Sequence, residues 1–175
     1  HDRWRNRSST RMANSIRKLM VVGRMSAVDP KTTLMNLIKN NLCLTKDDGV
    51  TPATFYVSQE WFNARLLKDK DVQVTVGLAE PSSMEKLNIG GSHVRYVDLY
   101  RITGWSIDKT GITGKEMRYK LRREIERIIR TNRKAPGDAL SFVDVRSVVE
   151  TQDENAKPPF WQVTVTVVTH RYVKT

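Results

Sequence analysis

The side chains able to do chemistry are few and scattered. The histidines are His1, His93 and His170, and none stands in an HxH, HxxxH or HExxH spacing. A zinc-hydrolase ligand set is therefore not written into any local stretch. Cys43 is the lone cysteine, so no intramolecular disulfide and no cysteine-based metal site can form. It lies in NLCLT, at the expected end of an amphipathic helix, and is read as a buried core thiol. There is no GxxxxGK[ST] loop and no GxSxG elbow; Gly90-Gly91 and Thr103-Gly104 are too isolated to cradle a phosphate. Asp98, Asp108, Asp144 and Glu150 are carboxylates that no spacing pairs, and Asp98 and Asp144 in strands are read as salt-bridge or solvent-facing residues. The expectation is a chain with no catalytic site, no metal and no cofactor. A nuclease built from carboxylates brought together only by the fold is the enzymatic alternative.

The charge is the stronger signal. The chain has 175 residues and a formal net charge of +11. Two segments carry that excess. Residues 1–20 hold Arg3, Arg5, Arg7, Arg11, Arg17 and Lys18 against Asp2. Gly114 to Lys134 holds nine Lys/Arg against Glu116, Glu124 and Glu126. Charge gathered in two places is a local electrostatic feature, and it answers nucleic acid, an anionic surface or acidic protein neighbours. No apolar run approaches the length needed to span a bilayer, so no membrane partner is expected.

These segments need elements to position them. In Gly114 to Lys134, Met117, Leu121, Ile125, Ile128 and Ile129 recur at the helical period, which gives one apolar stripe on an otherwise charged helix. Arg118 and Arg122 lie one turn apart on its surface, and Glu126 stands one turn before Arg130. Asp29-Pro30 is a helix start, followed by Leu34, Leu37, Ile38 and Leu42. Residues 54–61, 71–79 and 94–107 read as strands, 71–79 alternating cleanly with Val72, Val74, Val76 and Leu78 on one face, and Gly104 marking a bend or bulge; residues 81–91 read as a loop, and residues 132–138 as the exit of the basic helix. After Pro136-Gly137, residues 140–150 and 160–173 form a hairpin across the polar loop 152–159, with Trp161, Val163, Val165, Val167 and Val173 on one parity and His170 on the polar one. Trp105 and Trp161 are read as core anchors. The predicted fold is α+β: an antiparallel or mixed sheet of about five strands packed against two helices. Residues 1–20 form an extended basic arm and 21–175 a single domain. Residues 1–15 have almost no apolar content, so such an arm orders only when a neighbour or nucleic acid grips it, or when it packs locally through Trp4.

The order YVDLYRITGWSI, then GKEMRYKLRREIERII, then KPPFWQVTVTVVTHRYV resembles the tail terminator (tail completion) and related head-tail connector proteins of long-tailed viruses. The helix DPKTTLMNLIKNNL and the strand DVQVTV fit the opening of that pattern, so the likeness covers roughly residues 28–173; the Arg-rich extension before residue 20 is not part of it. The resemblance implies a non-enzymatic structural virion protein, assembled in the host cytoplasm. It implies a homo-oligomeric ring, a hexamer, at the tail end or neck, which terminates the tail tube and joins it to the head. Its partners would be tail-tube and neck or connector proteins, with DNA passing through the lumen. The interface candidates are Arg3, Trp4, Arg5 and Arg7 in the arm and Arg118, Arg122 and Arg127 on the helix. The alternative is a nucleic-acid-binding protein that uses the basic arm and the basic helix, although no helix-turn-helix, zinc-finger, RRM or KH signature is present.

Overall fold

The computed structural model describes residues 28–59, 61–87, 93–137 and 139–174. The basic arm, with Arg3, Trp4, Arg5 and Arg7, and His1 lie outside the described residues.

Helix α1 is Pro30–Asn41. Asp29 caps it by accepting from the Lys31 amide at 3.0 Å, and Pro30 occupies the first helical position, where its missing N–H costs nothing. Strand β1 is Phe55–Gln59 and α2 is a single helical turn, Leu66–Asp69. Two long strands follow, β2 at Val72–Lys86 and β3 at His93–Ile107. The basic helix α3 is Gly114–Thr131. It leads into a short strand β4, Lys134–Gly137, then β5 at Leu140–Asp153 and β6 at Phe160–Lys174.

The six strands form one curled, mixed sheet in the order β1-β2-β3-β6-β5-β4. Only β1 and β2 run parallel; every other neighbouring pair is antiparallel. Both main helices lie on one face of the sheet. Period-two alternation delivers Val74, Ile102, Val143, Val163, Val165 and Val167 to that face, all fully buried. The whole predicted stripe of α3, Met117, Leu121, Ile125, Ile128 and Ile129, meets them with no exposed surface. Leu34, Leu37 and Ile38 of α1 complete the core. Each such side chain withdrawn from water contributes about 2 kcal/mol. Gly104 is not a bulge: pairing runs through it unbroken on both sides. It lets the helix approach, since a Cβ there would lie 3.1 Å from Leu121 Cδ1.

Four expectations are corrected. Residues 81–86 are not loop but the outer half of β2. Pro81 is tolerated because β1 pairs with β2 only as far as Val76, so no neighbour on that side requires its amide. Irregularities at Leu78/Glu80 and Glu80/Ser83 bend the strand there. They also end the clean burial alternation: Val72, Val74 and Val76 are buried, whereas Leu78 is 49% exposed. Residues 134–137 form β4 rather than a plain helix exit. Cys43 is exposed, not buried. The helix has already ended at Asn41, and the extended chain beyond it turns Leu42 and Leu44 inward and Cys43 outward.

Candidate interface

The start of α3 is fixed by groups distant in sequence. Thr113 donates its amide and its hydroxyl to Asp47 Oδ2, at 2.7 and 2.9 Å. The Gly114 amide donates to Asp108 Oδ1 at 2.7 Å. Two carboxylates thus meet amides that no helical carbonyl can reach, at the positive end of the helix dipole. Trp161 covers the same turn, with Arg118 stacked 5.2 Å over its ring. Trp161 is thereby a half-buried anchor of the helix start. Trp105, by contrast, sits on the sheet face away from the helices and stacks on Phe62 at 4.6 Å.

Anchored this way, α3 presents an ordered layer of arginines. Arg118 and Arg122 both reach Glu150 of β5, at 3.3 and 2.9 Å. Arg122 also pairs with Glu126, which holds Arg130 as well, each at 3.1 Å. Arg127 pairs with Glu124 at 2.9 Å and donates to the Asn41 carbonyl at the end of α1. Hydrogen bonds to Glu150 and then Glu126 hold the Arg122 guanidinium above its usual pKa, and the bond to Glu124 does the same for Arg127. Two of these acids lie deeper than their bases. Glu126 is 17% exposed while Arg122 and Arg130 are 42% and 67% exposed. Glu124 is 22% exposed against 49% for Arg127. Arg118 is the reverse, 14% exposed against 27% for Glu150. A partner approaching α3 therefore meets the guanidinium groups of Arg122, Arg127 and Arg130, oriented by Glu124 and Glu126 beneath them.

The structure places the candidate residues Arg118 and Arg122 on the β5 flank of α3, where both meet Glu150, and Arg127 on the opposite flank, where it reaches Asn41. The four carboxylates are dispersed. Asp98 accepts from Arg171 at 3.1 Å, Asp144 pairs with Arg133 at 2.6 Å, Asp108 caps α3, and Glu150 orients two arginines. Among the described residues, no group of three or more His, Cys, Asp or Glu is placed to hold a metal ion. His170 is half-buried and stacks on Phe142 at 4.9 Å; burial lowers its pKa, reinforced by the charge of Arg95.

One surface was not legible in the sequence. On the sheet face away from the helices, residues 61–63 cover Gln73 and Trp105, and the remainder curls into an open groove of about 640 Å³. Register builds its floor in rows: Thr75, Thr103 and Thr164 stand side by side, and Gly77, Arg101 and Thr166 form the next row. Phe62 and Trp105 wall one end. Arg101 is exposed at the centre, and the lining contains no carboxylate. A sequence cue did exist in the VTVTV alternation of residues 163–167, where threonines oppose the valines, but it reads equally as a solvated face. No described helix is long and apolar enough to cross a membrane.

Compared with known proteins, the chain matches no family model, and no curated protein matches it.

Proposed function

We propose that this chain is a non-enzymatic structural subunit that works as a homo-oligomeric ring, at the tail end or neck of a virion, terminating the tail tube and joining it to the head. The observation that carries the reading is the open, curled part of the sheet. One layer of helices buries one face, and the other face keeps an open groove of about 640 Å³. A subunit built for assembly needs such a surface. The outer half of β2, paired with β3 but open along its other edge, and the ordered arginines of α3 support it as further contact surfaces. The resemblance in strand–helix–hairpin order supplies the tail and neck assignment, with tail-tube and connector proteins as neighbours and the host cytoplasm as the place of assembly. Light scattering and electron microscopy of the full chain test it. Closed rings of uniform subunit number are the expected result, and a monomer throughout the micromolar range would sink it.

A second reading is favoured by the exposure order on α3. Guanidinium groups held outermost by half-buried carboxylates are suited to phosphate backbones, and the net charge of +11 draws a polyanion from a distance. On this reading DNA affinity falls steeply with salt, and replacing Arg122, Arg127 and Arg130 by Gln flattens that slope. Affinity unchanged by the triple replacement would remove α3 from DNA contact.

A further inference from the structure

Arg101 and the tip of the β5–β6 hairpin are complementary in charge and cannot meet within one molecule. We infer that the groove around Arg101 receives the acidic hairpin tip, residues 152–159, of a second copy of this chain. The inference rests on the ring reading above and names the contact that would close the ring.

The groove supplies one half of the match. Arg101 is exposed at its centre, and no carboxylate stands against it among the described residues. Thr103, Thr164 and Thr166 surround it with hydroxyl groups able to donate to an anionic oxygen. Phe62 and Trp105 give one end an apolar wall. Arg118, Arg122, Arg127 and Arg130 of α3 differ on this point, because Glu124, Glu126 and Glu150 already answer them, while Arg123 lies over the ring of Tyr119. An acidic segment docking on Arg101 displaces no existing partner.

The tip supplies the other half, with Asp153 and Glu154 against Lys157, which leaves it net negative. Adjacent carboxylates occur at two places in the chain, Asp47-Asp48 and Asp153-Glu154. The first pair is already engaged: Asp47 caps α3, and Asp48 accepts from the amides of Val50 and Thr51. Asp153 and Glu154 are exposed and meet no cation of their own chain among the described residues. Their local contacts shape the turn instead, with the Asn155 amide donating to Asp153 at 3.0 Å and Gln152 bonded to Glu154. Pro158 and Pro159 follow, apolar surfaces that suit the aromatic wall.

Geometry excludes the intramolecular alternative. Strands β5 and β6 remain paired out to Asp153 and Phe160. Four to six residues of extended chain separate Phe160 from the threonines at the groove centre, which puts the tip about 15–20 Å beyond it. A straight hairpin cannot fold back into its own groove, so the tip must enter another subunit's. Groove and tip are different surfaces, so the contact is head-to-tail; repeated, it gives a ring where the rotation between copies closes and an open filament where it does not.

Charge reversal tests this on the full chain. Assembly is followed by light scattering for the wild type, for Arg101→Glu, for Asp153→Arg with Glu154→Arg, and for all three changes together. Circular dichroism and melting temperature establish that each variant folds. Either one-sided reversal is expected to raise the concentration needed for assembly at least about tenfold, and the combined variant is expected to recover most of that loss. Wild-type assembly in the Arg101→Glu variant, or no recovery in the folded triple variant, overturns the inference and leaves the ring reading standing. A monomeric wild type removes both. Loss of single-stranded oligonucleotide binding in Arg101→Glu, with assembly intact, would give the groove to a polyanion and equally overturn the inference.

Discussion

Trp161 lies over Gly114 so closely that a Cβ built on the glycine would stand 2.2 Å from indole Cδ1 and 2.8 Å from Nε1. The helix that carries the arginine layer therefore begins at a residue that must have no side chain. The backbone of Gly114 is helical and its carbonyl accepts from Ser106 at 2.9 Å, so neither the peptide nor the ring has room to yield. Gly114→Ala is expected to cost about 1–3 kcal/mol through overpacking. Urea unfolding measures it. A cost under half a kcal/mol would show that the indole swings away freely, and that it does not fix the start of α3.

The ion pair between Asp98 and Arg171 is unequal, and its two halves should fail unequally. The Asp98 side chain is 1% exposed and its Oδ1 has no hydrogen-bond partner, whereas Arg171 is 33% exposed and also lies 4.3 Å over the ring of Tyr96. Arg171→Ala abandons a buried carboxylate and is expected to cost about 3–5 kcal/mol. Asp98→Asn keeps the shape and leaves behind a cation that water can reach, at about 1–2 kcal/mol. Chemical denaturation of the two variants side by side checks the order; equal costs would refute the role given to burial.

Tyr100 gives the protein an alkaline limit. Burial, with Asp98 as the next cause, pushes its phenol from 10.0 up to about 12. The unfolded chain therefore loses this proton before the folded one does. The stabilising effect is complete below pH 10 and is lost as pH rises from 10 towards 12. In Tyr100→Phe that component of the decline should vanish, so wild-type and variant stabilities converge or cross in this window. Parallel curves through it would show that the phenol is not held neutral.

Cys43 should react with a thiol reagent in the native protein, at stoichiometry near one and without denaturant, because its side chain faces water while Leu42 and Leu44 face the core. Labelling that waits for unfolding would place the thiol back in the interior.

Much of the architecture could be read from periodicity. The α3 stripe of five apolar residues and the valines of β6 were legible because each element puts one face against the core, and burial is what their spacing encodes. The pairing of Glu126 with Arg130 was legible too, since helical neighbours lie four apart. Glu150 was not recognisable as the partner of Arg118 and Arg122, because 28 residues and a strand register separate it from the nearer one. Pro81 misled for a related reason. Proline signals a loop only where a neighbour needs its amide, and Pro81 sits in the irregularity between Glu80 and Ser83, with no β3 partner and past the end of β1. The groove was hidden most completely. Arg101 stands beside Thr166 because β3 and β6 align, a fact held by neither segment alone.

That alignment has a consequence for how the molecule forms. Strands β3 and β6 pair over 15 residues down the middle of the sheet, yet they belong to hairpins from opposite ends of the chain, with α3 between them. Each hairpin can close quickly on its own local contacts, whereas the seam must wait until a long intervening segment has been drawn in. The slow step of folding is then the zipping of two preformed ribbons. A chain cut between α3 and β5 should leave two fragments that acquire structure only in each other's presence.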